Sequence, residues 1–371
     1  FQATEILLDI PLDRATLELS QNQKLDEETL SAINYSGLIK TALRQTFPEV
    51  SSRSDKKLLY KMVSDGAEFT LRDRIKADPG LIGKDSIAVW LKADDDIDTL
   101  FKLETLTSRV KPEQVTFVEQ LKQQNRIATH FNTTFFTNSD SREAEQAGIK
   151  GALLGSFWTL LVTLLLSLPI GIGAAVYLEE FAPQNKLTDF VEININNLAA
   201  VPSIVFGLLG LAVFINFFGM PRSAPLVGGL VLSLMTLPTI IISSRAAIKS
   251  VSPSIKEAAL GLGASHVQTV FHHVLPLAMP GILTGAIIGM AQALGETAPL
   301  LMIGMVAFIV DVPGGIVDSA TVLPVQIYLW ADSPERAFTA LTAATILVLL
   351  VFLAAMNSIA ILLRKHFEKR W

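Results

Sequence analysis

The sequence predicts an all-α polytopic membrane protein that carries an N-terminal mixed α+β domain in water. One observation is the uneven charge: 44 of the 65 Asp, Glu, Lys and Arg residues lie in the first 150 of 371 positions. Another is a series of long uncharged apolar runs in the remainder of a chain that is 50% hydrophobic. Soluble domains carry about 25% charged residues, whereas this chain carries 18%. We therefore expect a soluble domain at 1–149 and a membrane domain at 150–371.

Five uncharged runs in the second part can each supply the roughly 20 residues that a helix needs to cross about 30 Å of hydrocarbon. Lipid offers no hydrogen bonds to the backbone, so these runs should be helical. Buried helices of a soluble protein usually keep a polar stripe, and 160–168 shows almost none. The expected helices are at about 151–177, 193–218, 225–248, 278–306 and 338–363.

Basic residues predict the orientation of these helices, because short cytoplasmic loops are enriched in Lys and Arg. The loop at 249–277 and the C-terminal tail both follow odd-numbered helices, and the loop from 307 to 337 is mostly acidic. The expected cytoplasmic basic residues are Arg245, Lys249, Lys256, Arg364, Lys365, Lys369 and Arg370. The loop and the C-terminus are therefore predicted to be cytoplasmic, and residues 1–149 extracytoplasmic.

The N-terminal region mixes helical and strand patterns without an internal repeat. Apolar spacing predicts helices at 37–47, 55–64 and 112–124, and residues 87–91 read as a short strand. An acidic cluster at 94–98 offers carboxylates that could bind calcium, but the Gly and the bidentate Glu of an EF-hand loop are missing. A solvated turn is the favoured interpretation.

Several functional classes are disfavoured by composition. The net charge of -5 argues against a nucleic-acid partner, which would require a basic stripe. Cysteine is absent, so the chain has no disulfide framework and no thiolate metal site. The sequence contains no Gly-rich phosphate loop of the Walker type.

A motif in the loop at 249–277 points to a family. The pattern is Glu-Ala-Ala, three residues, Gly, nine residues, then a position usually occupied by Ile, any residue, Leu and Pro. It resembles the EAA motif of permeases in binding-protein-dependent ABC importers, with His273 at the Ile position. The matching residues are Glu257, Ala258, Ala259, Gly263, Leu275 and Pro276. The resemblance implies a type I importer fold, in which a helix, a turn and a second helix dock on an ATPase subunit.

Three further stretches, at 201–207, 237–240 and 295–300, resemble phosphate-specific transport permeases of the A-subunit type. This resemblance covers roughly 150–365 and implies a bacterial inner membrane location. It also implies ATPase subunits, a homologous second permease, a periplasmic phosphate-binding protein and membrane lipid as partners. ATP hydrolysis would belong to the ATPase subunits, so this chain is expected to be no enzyme and to bind no cofactor. Residues 1–149 resemble an extra domain that follows a first membrane helix in some members, and we expect that helix to be missing here.

Candidate pathway residues lie within the membrane domain. Glu296 and the adjacent Thr297 fall inside an apolar run, where a charge costs several kcal/mol unless it is paired or hydrated. Glu296 could line the pathway or make a structural helix-to-helix hydrogen bond. Arg245 has a planar fork suited to phosphate oxygens, but it could equally be a basic anchor at the cytoplasmic end of its helix.

Two other functions stay open at this point. One is a permease for another oxyanion, such as molybdate or sulfate. The other is a membrane sensor whose outer domain reports to an intracellular partner. A sensor would need an output domain or a partner site inside, and the short cytoplasmic parts favour transport.

Overall fold

The structure is a computed structural model of the chain that describes residues 1–13, 17, 26–103 and 110–367. It divides into two compact units, Phe1–Gly148 and Ile149–Trp371, and each is described by itself. Lys369 and Arg370 of the predicted basic tail lie outside the described residues.

The first unit is an α+β domain with one antiparallel sheet in the order β2-β1-β3. Its elements are β1 Gln2–Pro11, α1 Glu27–Ala32, α2 Tyr35–Thr46, α3 Arg53–Tyr60, α4 Ala67–Ala77, β2 Ser86–Lys92, α5 Asp95–Leu103, α6 Pro112–Gln123, β3 Ile127–Phe131 and α7 Thr133–Thr137.

The central strand β1 organises the core of this unit. Its alternating Ile6, Leu8 and Ile10 are fully buried, as expected for a strand with one face on a core. In the register, Leu8 lies opposite Val89 of β2. Strands β1 and β3 were not predicted from the sequence.

The acidic cluster at 94–98 is not a solvated turn, and that expectation was wrong. Asp95, Asp96 and Asp98 lie in the first turn of α5, where the positive end of the helix dipole favours carboxylates. The backbone N–H of Asp96 donates to Asp94 Oδ1 at 3.1 Å, and the N–H of Thr4 donates to Asp98 Oδ1 at 2.7 Å. The cluster therefore begins a helix and ties it to β1. Carboxylate oxygens of Asp94, Asp95 and Asp96 also lie within 4.8 Å of one another.

A buried lysine joins the end of β2 to the last segment of the first unit. Lys92 Nζ donates to Asn132 Oδ1 and to the backbone carbonyl of Glu145, both at 2.7 Å. Glu145 in turn accepts from Ser64 Oγ at 3.1 Å and from the N–H of Asp95 at 3.1 Å. Burial lowers the pKa of Lys92 to about 8 and, together with the negative charge of Asp95, raises the pKa of Asp94 to about 7. Burial also raises the pKa of Glu145.

The second unit is all-helical. Its helices are α8 Lys150–Val176, α9 Lys186–Ala199, α10 Ser203–Leu209, α11 Pro225–Lys249, α12 Pro253–Gly261, α13 His266–Thr269, α14 Leu275–Gly295, α15 Ala298–Met302, α16 Leu323–Ala331 and α17 Ala337–Phe367. Wider π-type turns extend three of them at Tyr177–Phe181, Gly210–Phe217 and Val270–Val274.

Four helical stretches within the described residues are long and apolar enough to cross a membrane. They are Lys150–Phe181, Pro225–Lys249, His266–Gly295 and Ala337–Lys365. The predicted helix at 193–218 is instead a pair, α9 and the stretch Ser203–Phe217, bent by 102°, and the number of spans is five if this pair counts as one. Pro202 explains the break, because proline has no N–H to continue the ladder of α9. The predicted helix at 278–306 was also wrong: it begins earlier, at His266, and is interrupted after Gly295.

Glycines allow the long helices to approach closely. A Cβ at Gly229 of α11 would lie 2.5 Å from Val162 of α8, and one at Gly285 of α14 would lie 1.8 Å from Ser243 Oγ of α11. Small residues at such contacts are typical of membrane helices, where lipid tails supply no hydrophobic force between helices. α11 therefore packs between α8 and α14.

Candidate functional site

The loop that carries the EAA motif is a helix-turn-helix. Helix α12 ends in a Schellman motif, with Gly263 at a φ of +90° and the N–H of Ala264 donating to the carbonyl of Ala259 at 3.1 Å. A side chain at position 263 would be strained in this left-handed conformation, so glycine suits the turn. Ser265 and Gln268 then form a capping box at the start of α13. The helix continues without interruption through Val270–Val274 into α14.

The predicted docking residues are divided between two faces of this loop. Glu257 and Ala258 are exposed, whereas Ala259 is buried, and Leu275 and Pro276 are half-buried at the start of α14. The exposed side also carries large apolar side chains, among them Leu262, which is 90% exposed. The other exposed apolar residues of the loop are Leu260, Val267 and Phe271.

The EAA loop packs on a small apolar core. The end of α8, the end of α11 and the start of α14 contribute side chains to this core. Its buried members are Ala175, Val176, Ile248, Val251, Val270, Val274, Ala278 and Ile282. The loop is therefore packed onto the ends of three long helices rather than suspended between two of them.

Ion pairs connect the same elements. Glu180, in the π-turn after α8, pairs with Lys256 of α12, and its side chain is 5% exposed. Its backbone carbonyl lies 2.9 Å from His266 Nε2, while the Phe181 and His266 rings are 5.1 Å apart. Lys256 is thus engaged inside the chain.

Arg245 lies near the end of α11 and pairs with two carboxylates. Its Nε is 3.4 Å from Glu179 Oε2, and a terminal nitrogen is 2.6 Å from Glu192 Oε1 of α9. Both carboxylates occupy the guanidinium fork that was considered for phosphate. Arg245 therefore links the end of the first long helix to the first arm of the bent pair.

Glu296 does not lie in the middle of a helix, contrary to the expectation from the sequence. It caps the C-terminus of α14 in an extended conformation, and Thr297 caps the N-terminus of the short α15. Both side chains are half-buried. Ser243 of α11 lies opposite Gly285 of α14, and Glu296 is about 16 Å further along the axis of α14. The structure therefore does not bring Arg245 and Glu296 together.

The interruption at Glu296 lies near the second interruption, at Pro202. α10, which begins directly after Pro202, packs on α15, and a Cβ at Gly207 would lie 2.6 Å from Pro299 Cα. Two helix breaks thus flank one close backbone contact. Irregular backbone at membrane depth is tolerated only where protein or a water-filled cavity surrounds it.

Two known domain families match parts of this chain. Residues 167–371 match the model of the binding-protein-dependent transport system inner membrane component. The chain belongs to this family. Residues 1–109 match a domain of unknown function, DUF3333. Membership of this inner membrane permease family confirms the resemblance drawn from the EAA motif and the predicted importer fold of the membrane domain. The sheet and helices of the first unit confirm the predicted N-terminal α+β region.

Individual relatives share this permease domain. The probable ABC transporter permease protein YqgI of Bacillus subtilis is 40% identical over 168 residues, which are 45% of this chain and 56% of the relative. The phosphate transport system permease protein PstA 1 of Mycobacterium tuberculosis H37Rv is 32% identical over 219 residues, or 58% of this chain and 70% of the relative. The chain spans about half the length of the Bacillus relatives that it matches. A solved chain of the MetNI methionine ABC transporter is 16% identical with a TM-score of 0.45, over 60% of this chain and 95% of that one.

Three residues of this permease site were not predicted from the sequence. Glu179 and Glu180 directly follow the first apolar run. Glu192 is the last charged residue before the second apolar run. Their position was a usable signal, because adjacent acidic residues at the end of a spanning helix need basic partners nearby. The basic residues that pair with them, Arg245 and Lys256, were used at the sequence level to predict orientation, and Arg245 also as a candidate phosphate ligand.

Proposed function

We propose that this permease forms part of the pathway of an ATP-driven importer of inorganic phosphate in a bacterial inner membrane. The phosphate assignment is supported by the names of the PstA relatives and by the stretches at 201–207, 237–240 and 295–300. The single observation that supports the transport role is that the EAA loop is exposed on one face and packs with the other on the ends of α8 and α11 and the start of α14. A loop with a free docking face and a firmly held inner face suits the transfer of force from a motor protein.

The coupling step begins at the exposed face of the loop. Glu257 and Ala258 lie on this face and Leu262 projects from the turn, so an ATPase subunit would meet one carboxylate and a large apolar side chain. Movement of that subunit would displace α12, and the Glu180–Lys256 pair would carry the displacement to the end of α8. Hydrolysis itself belongs to the ATPase, and the loop side is the cytoplasmic side.

The pathway in this proposal passes the two helix breaks. Glu296 and Thr297 supply a carboxyl and a hydroxyl where backbone groups are released from the helical ladder, and such groups can hydrogen-bond a protonated phosphate. A homologous second permease would complete the pathway, and a periplasmic phosphate-binding protein would deliver the ion. Arg245 is already paired with Glu179 and Glu192, so it would hold α11 to the end of α8 and to α9 and would not bind phosphate.

The coupling role is tested by labelled-phosphate uptake in cells that carry Glu257→Lys. We expect uptake to fall at least tenfold and the ATPase to be lost on copurification, because charge reversal disrupts the docking face. Glu335→Lys is the matched control, since Glu335 is an exposed glutamate in the opposite loop. Normal uptake and normal copurification with Glu257→Lys would contradict the coupling role.

The pathway role is tested by Glu296→Gln with phosphate, sulfate and molybdate supplied separately. We expect phosphate uptake to decrease while the ATPase still copurifies, because position 296 is remote from the EAA loop. If the unmodified protein takes up sulfate or molybdate and not phosphate, the substrate is that other oxyanion. No uptake of any oxyanion, with an ATPase bound, would refute the substrate assignment alone.

A further inference from the structure

The second unit has an apolar groove on its surface, lined by one face each of α8, α14 and α17. The lining runs from Phe157 to Leu168 on α8, from Leu283 to Met290 on α14 and from Phe352 to Leu363 on α17. α14 packs on both other helices and forms the floor. All described lining residues except Asn357 have apolar side chains, and the cavity has a volume of about 320 Å³. The groove therefore suits an apolar occupant.

The groove is about as long as one leaflet of a bilayer is thick. Its lining on α8 and on α17 covers about 16 Å of helix in each case, which is roughly half of a hydrocarbon core of about 30 Å. One end adjoins α16, where Ser156 Oγ accepts from the N–H of Leu323 at 2.8 Å. Ile359 at the rim is 59% exposed, so the groove is open along its side. An occupant can therefore enter from the lipid.

A guanidinium lies at the other end of the groove. Arg364 directly follows the last lining residue and is half-buried, and its Nη1 donates to Thr284 Oγ1 of α14 at 3.3 Å. Thr284 adjoins Gly285. A Cβ at Gly285 would meet Ser243 of α11, two residues before Arg245. Arg364 is therefore near the level of Arg245 and its carboxylates, at the end of the membrane unit that carries the EAA loop.

Arg364 differs from Arg245 in having no acidic partner. Arg245 pairs with two carboxylates, whereas Arg364 makes no ion pair within the part of the chain that the structure describes. Its hydrogen bond to Thr284 uses one of the five guanidinium N–H donors. Lys365 beside it is exposed. Basic residues at the edge of a membrane attract anionic lipids, and the planar fork of arginine matches phosphate oxygens. The two positive charges therefore suit a negatively charged headgroup at the mouth of the groove.

We propose that the groove binds one anionic phospholipid from the leaflet on the side of the EAA loop. One acyl chain would lie along α14, and the phosphate would accept hydrogen bonds from Arg364. The hydrocarbon region has no water to fill an apolar groove, and basic pockets between spanning helices bind lipid headgroups. A helix of another protein would also cover the apolar lining, but it would leave Arg364 without an anion. This inference rests on the spanning helices and is independent of the transported ion.

The lipid preference is measured by native mass spectrometry of the full chain, released from nanodiscs that contain equal amounts of phosphatidylglycerol and phosphatidylethanolamine. We expect each chain to retain one phosphatidylglycerol about fivefold more often than phosphatidylethanolamine, because only the latter brings an ammonium toward Arg364 and Lys365. Arg364→Gln should remove this preference. Arg336→Gln is the matched control, since Arg336 is exposed and lies outside the groove. Equal retention of both lipids by the unmodified chain, or an unchanged preference in Arg364→Gln, would overturn the proposal.

Two further variants separate a lipid site from a structural role. Ala360→Phe places a ring in the groove and should abolish retention of both lipids. Ala355→Phe, at an exposed position of α17 that does not line the groove, should not affect it. Thr284→Val removes the hydrogen bond to Arg364 but keeps its charge, so the preference for phosphatidylglycerol should persist. Loss of that preference in Thr284→Val, or normal retention in Ala360→Phe, would contradict the assigned site.

The occupant in membranes is identified by photocrosslinking. p-Benzoylphenylalanine at Ile359 places a reactive group on the rim of the groove. Ultraviolet light should then give an adduct whose added mass is that of a phospholipid. An adduct with a polypeptide in its place would overturn the proposal, because protein would then cover the groove.

Discussion

The two units of this chain differ in how many large apolar side chains they expose. In the first unit the large side chains lie inside, where Leu8, Ile10 and Phe47 are almost completely buried around the sheet. The second unit has buried apolar side chains too, but glycines make its closest helix contacts and many of its large side chains face outward, such as Phe217 at 79% exposure. The most apolar window of α17 contains no buried residue. The same residue types therefore serve a core in water and an outer surface in lipid.

This contrast shows where sequence changes should matter in each unit. A buried side chain in water contributes through the apolar area removed from solvent. A lipid-facing side chain loses little when shortened, because lipid fills the space that it leaves. Helix contacts in the second unit depend instead on how closely two backbones approach.

The largest expected difference comes from one substitution made in both units. Leu8→Ala should lower the free energy of unfolding of the first unit by about 3 kcal/mol, since it leaves a cavity in a closed core. Leu350→Ala, at a position 55% exposed on α17, should change stability by no more than about 0.5 kcal/mol. The first effect is measured by treating the full chain with urea and following proteolytic cleavage within residues 1–148. The second effect is measured by thermal unfolding in nanodiscs. Similar losses for both variants would remove the contrast.

Overpacking should destabilise the second unit where a glycine lies between two helices. Gly229→Val places a side chain against Val162 and should destabilise the α8–α11 contact by about 2 kcal/mol. Gly173→Val on α8 is the matched control, because a Cβ there meets no atom within 4 Å. Thermal unfolding of the purified chain in nanodiscs compares the two variants. Equal melting temperatures would mean that the helices do not approach as closely as described.

The buried ion pair of the second unit should have a smaller effect. Glu180→Gln removes the charge that faces Lys256 but keeps a hydrogen-bond acceptor, so a loss of about 1 kcal/mol is expected. Hydrogen exchange of residues 253–276 should become faster in the full chain, and Glu180→Lys combined with Lys256→Glu should partly restore protection. Lys249→Met serves as the control, since Lys249 is exposed and lies 3.7 Å from Glu179. Unchanged exchange in Glu180→Gln would show that the pair does not hold α12.

The last effect depends on pH and concerns Asp94, a half-buried acid of the first unit. The pKa of Asp94 is raised to about 7 from an ordinary 3.8, so the folded state binds a proton more tightly than the unfolded state between these values. Stability should therefore fall as pH rises through this window and stay low above it. Asp94→Asn keeps the acceptor for the N–H of Asp96, so we expect a flatter pH profile and a small gain at pH 8. Urea denaturation from pH 4 to 8 tests this, with exposed Asp65→Asn as the control.

Much of the membrane unit could be predicted because lipid imposes a simple rule. A run without charge that is long enough to cross must be helical, and Pro225–Lys249 follows that rule closely. Hydropathy cannot reveal where such a run breaks. At Pro202 and Glu296 the backbone leaves the helical conformation, and this change does not alter the hydropathy of the run. A bend of 102° leaves the average hydropathy unchanged.

The candidate site was predicted in part for a related reason. The EAA spacing located the loop, and Gly263 located its turn. Which face of α12 is exposed depends on contacts with α8 and α11, so Ala258 and Ala259 could not be distinguished by residue type. The partners of Arg245 and Lys256 lie more than 50 residues away in sequence, and pairing at that range requires the folded arrangement.

The π-turns described above have one further consequence. At Tyr177–Phe181 and Val270–Val274 a backbone N–H reaches back five residues instead of four, as in the 2.7 Å bond from Ala182 to Tyr177. Such a turn holds one surplus residue, and shifting it by a single position rotates the residue that it passes by roughly 100° while the helix stays continuous. The first turn pairs with α12 through Glu180 and Lys256, and the second lies between α13 and α14. A one-residue shift in either turn would therefore rotate a side chain next to the helix-turn-helix.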